Sequence, residues 1–250
     1  KMTKKVLFAG ESWFIYSTHV KGFDSFNTTT YESAETNLKL ALEADDFEVD
    51  YMPNHIAAEK FPYEMSELEQ YDCIILSDIG ANTLLLPNPT FSKSEYKPNR
   101  CNLIRDYVLA GGSLLMVGGY MTFSGIEAKG KWQDTAIQDV LPVQVLNRDD
   151  RTEHGEGIYP KTIQQNHPIL AGLGEWPPIL GYNQTILKDE AQLLAEVLGD
   201  PFIAVGEYGK GRSAAFTTDC APHWAPPEFC DWESYDLLFQ NIVNWLIKKL

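Results

Sequence analysis

Short apolar runs punctuate the first half of the chain, and each stops at a glycine, a proline or a polar turn. Val6-Leu7-Phe8-Ala9 ends at Gly10, and Cys73-Ile74-Ile75-Leu76 leads into Asp78 and Gly80. Ser113-Leu114-Leu115-Met116-Val117 opens onto Gly118-Gly119. Continuous runs of this length predict strands buried on both faces. Phe47-Glu48-Val49-Asp50-Tyr51 alternates instead and stops short of Pro53, which predicts a further strand. Helical spacing lies between these runs. Ala34, Leu38, Ala41 and Leu42 mark a first helix, and Ile104, Tyr107 and Val108 mark another over about 99–110, closed by Gly111-Gly112. Strands that alternate with helices predict a mostly parallel sheet with helical crossovers.

Two stretches break the rhythm. Residues 11–31 are polar and aromatic without a clear period, and read as one long ordered loop. Over about 140–200, Pro142, Pro160, Pro168 and Pro177-Pro178 interrupt the pattern, which predicts an irregular antiparallel extension of short strands and loops. Beyond it, Phe202-Ile203-Ala204-Val205 and Ser213-Ala214-Ala215-Phe216 flank Gly209-Lys210-Gly211 and predict a hairpin. A final helix places Tyr235, Leu238, Phe239, Ile242 and Leu246 on one face, with Ser234 as its N-cap. The expectation is one α/β domain over 1–250, elaborated at about 140–200.

Composition narrows the function. The formal net charge is −15, which repels phosphate backbones, so no nucleic-acid partner is expected. No apolar stretch is long enough to span a membrane, and Val6-Leu7-Phe8 is too short for a signal peptide, so no membrane partner is expected and the expected compartment is the cytoplasm. The four cysteines, Cys73, Cys101, Cys220 and Cys230, form no C-x-x-C pair; Cys73 and Cys101 read as buried thiols in a reducing compartment.

In open parallel sheets, ligands bind beyond the carboxyl ends of the strands. The residues that follow the predicted strands are therefore the candidates. They are Glu11, Ser12 and Trp13, with His19 and Asp24 further on; Asp78 and Gly80; Gly119, Tyr120 and Met121; and Asp219, His223 and Trp224. His223, directly after a buried strand, suits a general base, with Asp78 as its acidic counterpart. A histidine that orders its own loop, or an aspartate that caps a helix, is the competing reading for these two. Trp13, Trp224 and Trp232 suit stacking on an apolar or sugar ligand, or closing the core beneath loops. Nothing in the spacing of these residues requires a metal, and no cofactor is expected.

Asp106 through Gly119 resembles the helix and strand that lead into the nucleophile elbow of the class I glutamine amidotransferase-like superfamily. Gly10 through Trp13, Lys21 through Asp24, Ser77 through Thr83 and Asp219 through Trp224 are similar to a glutamine amidotransferase-like group. That group lies near the trehalose-utilisation-type proteins and the trimerisation domain of some β-galactosidases. The resemblance implies a flavodoxin-like sheet. Its enzymes carry G-x-C-x-G at the elbow and a histidine followed by Pro and Glu. Here Tyr120 takes the cysteine's place and Trp224 follows His223, so glutaminase activity is not expected; a phenol with a pKa of about 10 is a poor acyl acceptor. The expected function is binding of a small polar metabolite such as a carbohydrate, with Tyr120 donating a hydrogen bond, in a homo-oligomer. Two alternatives stand beside it. One is a serine hydrolase with Ser12 as nucleophile; the other is a non-catalytic oligomerisation or binding module.

Overall fold

The computed structural model describes residues 4–249. Strand β1 (Lys4–Gly10) is followed by β2 (Ser12–Lys21) and β3 (Asp24–Ser33), then α1 (Thr36–Glu43) and β4 (Phe47–Met52). Short helices α2 (Asn54–Lys60) and α3 (Met65–Leu68) lead to β5 (Cys73–Ser77). Helices α4 (Ala81–Leu85), α5 (Asn88–Lys93) and α6 (Arg100–Ala110) precede β6 (Ser113–Val117). The elaboration supplies β7 (Val143–Val145), β8 (Arg151–Ile158), β9 (Lys161–Thr162), β10 (Ile179–Asn183), β11 (Thr185–Leu187) and β12 (Gln192–Val197). The chain closes through β13 (Asp200–Tyr208), β14 (Gly211–Phe216), α7 (Pro227–Cys230) and α8 (Tyr235–Leu246).

The central sheet runs β4-β1-β5-β6-β14-β13-β12-β9. Its first five strands are parallel, and the last three join antiparallel. The apolar runs explain the layering. Val6, Phe8, Cys73, Ile75, Leu115 and Val117 pack on one side of the sheet with Leu38, Leu238, Phe239 and Ile242 of α1 and α8. Leu7, Ala9, Ile74, Leu76, Leu114 and Met116 pack on the other, with Ala57, Leu84, Ile104 and Val108 of α2, α4 and α6. A period of two sends alternate residues of one apolar run into opposite layers, so no position in the run is free to be polar. The fold is the α/β arrangement, a mostly parallel sheet flanked by helices, that the sequence pattern predicted. Its antiparallel additions are β9, β12 and β13 together with two small sheets, β7 with β11 and β8 with β10.

Two expectations are corrected. Residues 11–31 are not a loop. They form most of a β-hairpin whose ten-residue strands pair from Ser12↔Ser33 to Lys21↔Asp24 around the turn Gly22-Phe23, with Gly22 at φ +64°. Every residue of β3 is exposed. With solvent on both faces there is no alternation of apolar and polar positions for a sequence reading to detect. Ser234 precedes α8, but its side chain does not cap the helix; its hydroxyl accepts the Gly174 N–H at 3.0 Å. Asn99 caps α6, its Oδ1 accepting the N–H groups of Cys101 and Asn102.

The ends of β1 and β5 approach so closely that a Cβ on Gly10 would lie 1.7 Å from the Ser77 carbonyl oxygen, and Gly10 sits at φ +121°. Gly10→Ala is therefore expected to cost ~3 kcal/mol or more in urea unfolding through backbone strain and displacement of β5. Gly155→Ala, where a Cβ meets nothing within 4 Å, serves as the control and should stay within about 0.5 kcal/mol of the parent. Equal effects at the two positions would contradict the assigned contact.

Candidate functional site

Strands β1, β5, β6 and β14 are parallel neighbours, so their carboxyl ends open on one edge of the sheet. Glu11, Asp78, Tyr120, Asp219 and His223 leave that edge together. With Trp13, Ala34, Ala221 and Pro222 they line a cavity of about 430 Å³. Two of the acids stand on left-handed backbone, Glu11 at φ 46° and Asp78 at φ 43°. Non-glycine residues hold this conformation only where the surroundings impose it, and such positions cluster at functional sites. Gly119 leaves the space that Asp78 occupies, since a Cβ there would meet the Asp78 carboxylate at 2.8 Å.

The electrostatics follow from burial. Glu11 is only 1% exposed, and its Oε1 accepts the Ser77 hydroxyl and lies 3.6 Å from the Cys220 thiol. Burial, then the charges of Asp219 and Asp78, push its pKa well above the usual carboxylate range. Asp78 accepts the Met121 N–H at 2.8 Å, yet burial and Asp219 push it up to about 6. Asp219, 4% exposed, accepts the Cys220 N–H at 2.9 Å and pairs with His223 Nδ1 at 3.4 Å. Burial raises the Asp219 pKa while His223 opposes the rise; the same pairing raises His223 above the ordinary imidazole value.

An aromatic wall stands beside these acids. The His223 ring meets Tyr120 edge-on at 4.4 Å and lies at 5.4 Å from Trp224, inclined by 24°. The Tyr120 phenol donates to Glu153 at 2.9 Å, and the Arg151 guanidinium sits 4.8 Å from its ring centre. Trp224 donates its indole N–H to the other Glu153 oxygen at 2.9 Å. Burial and Glu153 raise the Tyr120 pKa, so the phenol keeps its proton. Beneath the wall, Asn183 of β10 accepts the Gly119 N–H at 2.9 Å and donates to the Gly119 carbonyl and to Asp150, which in turn holds the N–H groups of Ser124 and Gly125. The turn after β6 is thus held from the elaboration.

The sequence candidates divide. Glu11, Trp13, Asp78, Tyr120, Asp219 and His223 meet in the cavity. His19 and Asp24 do not; they lie out along the β2–β3 hairpin, where His19 stacks on Phe26 at 4.6 Å. Ser12 is buried, and its hydroxyl accepts the Asn54 N–H at 2.7 Å beside a separate depression of about 300 Å³. Gly80 precedes α4 and Met121 serves Asp78 through its backbone. Trp224 is buried behind His223, and Trp232 packs on Trp176 and Phe229. Arg151, Glu153 and Asn183 carried no sequence signal, because β8 is polar along its length and β10 lies in the irregular stretch. Glu11, Asp219 and Cys220 offer three ligand atoms within 4.8 Å of one another, a mixed set for a cation. Burial and the Glu11 charge keep the Cys220 thiol protonated, well above its usual range.

The raised Asp78 pKa sets a pH dependence. The folded chain holds this proton more tightly than the unfolded chain, so stability is greatest below the unfolded carboxylate range and is lost as pH rises through about 6. Asp78→Asn keeps an acceptor for Met121 and removes the ionisation. Its unfolding free energy should exceed that of the parent by ~2–3 kcal/mol at pH 7.5 and match it near pH 4. A difference that does not vary between these pH values would reject the assignment.

The family described as "Putative glutamine amidotransferase" matches residues 5–248. The solved structure of cytoplasmic protein STM1381 from Salmonella typhimurium LT2 is 45% identical, with a TM-score of 0.94, over 97% of this chain and 99% of that one. Cytoplasmic protein STM3548 from Salmonella typhimurium is 43% identical, again with a TM-score of 0.94, over 96% and 98%. A "Putative thua-like protein" from Parabacteroides merdae shares the fold at 12% identity and a TM-score of 0.57, over 100% and 91%. A comparison with curated proteins returned no match. With nearly its whole length accounted for, the chain belongs to the putative glutamine amidotransferase family.

Proposed function

We propose that the cavity binds a small neutral or cationic polyhydroxylated metabolite, of the carbohydrate class, and that its acids can move protons on that ligand. The observation that carries this reading is the convergence of Glu11, Asp78 and Asp219 beneath an aromatic wall. Carboxyl groups accept hydrogen bonds from hydroxyls, and the flat faces of Trp13 and Tyr120 suit the apolar face of a sugar ring. The same three acids disfavour phosphates and carboxylates. Asp78, ionising near pH 6, is the general base; the His223 imidazolium, held by Asp219, is the acid. The Tyr120 phenol, already oriented by Glu153, positions the ligand.

Glutamine hydrolysis does not fit this geometry. Tyr120 occupies the elbow, and the Cys220 thiol beside Glu11 is covered and protonated. Ser12 as a hydrolase nucleophile fits no better, because its hydroxyl is taken up by Asn54 and does not line the cavity that holds His223. Two relatives are named as cytoplasmic proteins, and we propose the same compartment for this chain.

A thermal-shift screen with neutral sugars, amino sugars, sugar acids, sugar phosphates and glutamine tests the proposal. A neutral or amino sugar should raise the unfolding midpoint; at about 100 times its Kd the stabilisation is roughly 2.7 kcal/mol. Tyr120→Phe and His223→Ala should each weaken that ligand about tenfold or more, and Tyr120→Phe should leave the unliganded midpoint near its starting value. Glutamine should give neither a shift nor ammonia. Stabilisation by sugar phosphates alone, or ammonia release, would overturn the reading.

A further inference from the structure

Apart from Trp13 at its root, the β2–β3 hairpin takes no part in the site. Its strands form a two-stranded sheet of their own and hydrogen-bond to no other strand among the described residues. Contacts with the body gather at its root, where Ser12 meets Asn54, and Phe14 and Tyr31 flank the ring of His55. Further out, the side chains meet one another: Thr18 bonds Asn27, His19 bonds Thr28, and His19 and Lys21 lie over Phe26. An isolated two-stranded hairpin is at best marginal in water; a stable one needs a third strand or another surface against it.

Its chemistry describes the missing surface. Tyr16, Val20 and Phe23 are 78%, 71% and 110% exposed, and Ile15 and Phe26 are exposed as well. The pairing register puts Tyr16 and Val20 on one face and Ile15 and Phe26 on the other, so each face carries exposed apolar side chains. Edge strands of soluble proteins are blunted by proline, lysine or bulges. This hairpin has no proline, its ladder is regular along its length, and its one lysine lies beside the turn. Charge then selects the partner. The chain carries −15, yet between Trp13 and Tyr31 its charges are Lys21 and Asp24, which cancel. A second copy of so acidic a chain can approach with least repulsion through this neutral element. Area agrees. Ten residues per strand give a ribbon of ~34 by ~10 Å, so one face and one edge bury on the order of 500–800 Å² per copy, which reaches the size of a specific interface.

We infer that the hairpin is a dimerisation arm, and that its partner is the same hairpin of a second copy, related by a two-fold axis. The contact is isologous, so the same apolar residues serve both sides and the assembly closes at two. Because Trp13 at the root of the arm and Ala34 just beyond it line the cavity, the dimer also steadies one wall of the site. The inference does not depend on what the cavity binds.

Light scattering after gel filtration, from about 1 to 100 µM, should give twice the 28.2 kDa chain mass. Tyr16→Glu combined with Val20→Glu and Phe26→Glu should return it to a single chain. A second variant, in which Asn-Gly replaces residues 17–28, removes the outer arm and leaves the root contacts; it should be monomeric with an unchanged circular dichroism spectrum and cooperative unfolding. If the acidic triple variant fails to fold, the shortened arm decides. A parent that runs as a single chain across the range overturns the inference, as does a shortened variant that remains dimeric.

Discussion

The closeness of β1 to β5 at their carboxyl ends is the constraint from which the site follows. Gly10 has no room for a side chain against the Ser77 carbonyl, and the next residue on each strand, Glu11 and Asp78, turns into left-handed backbone. That turn brings two acids from separate strands together. It is also why Ser77 can donate to Glu11 across the join. A side chain at position 10 would push the strands apart and dissolve the cluster before any functional group was altered.

Burial does the rest of the tuning. Glu11, Asp78 and Asp219 share one enclosed corner, with His223 paired to Asp219, and burial holds their protons at higher pH than in water. The arrangement costs stability at neutral pH and gains acids that can exchange protons there. The aromatic wall is built from the other direction. Glu153 on β8 joins Tyr120 to Trp224, and Asn183 on β10 grips Gly119. The irregular elaboration is therefore part of the site's frame, although none of its residues lines the cavity.

The hairpin shows a different economy. The parallel sheet satisfies its strands by burying both faces, whereas β2 and β3 leave both faces open. The outer part of that ribbon, from Trp13 to Tyr31, is neutral on an acidic molecule, which is the ground for reading it as surface kept for a copy of the chain itself. Its root also supplies Trp13 to the cavity, so the arm and the cavity share a wall.

By itself the sequence determined the strands of the parallel sheet, two of the helices between them, α1 and α6, and the positions at which chemistry could stand. It could do so because a doubly buried strand must be continuously apolar and must end at a turn, and both features are local. Glu11, Asp78, Tyr120, Asp219 and His223 were legible for that reason alone. Tertiary structure decided what these positions became. Trp224 and Ser12 were turned inward, His19 and Asp24 were carried out on an arm, and Glu153 and Asn183 arrived from a stretch without pattern. Strand order, burial and the meeting of distant carboxylates are set by contacts between residues far apart in the chain, and no local run of amino acids records them.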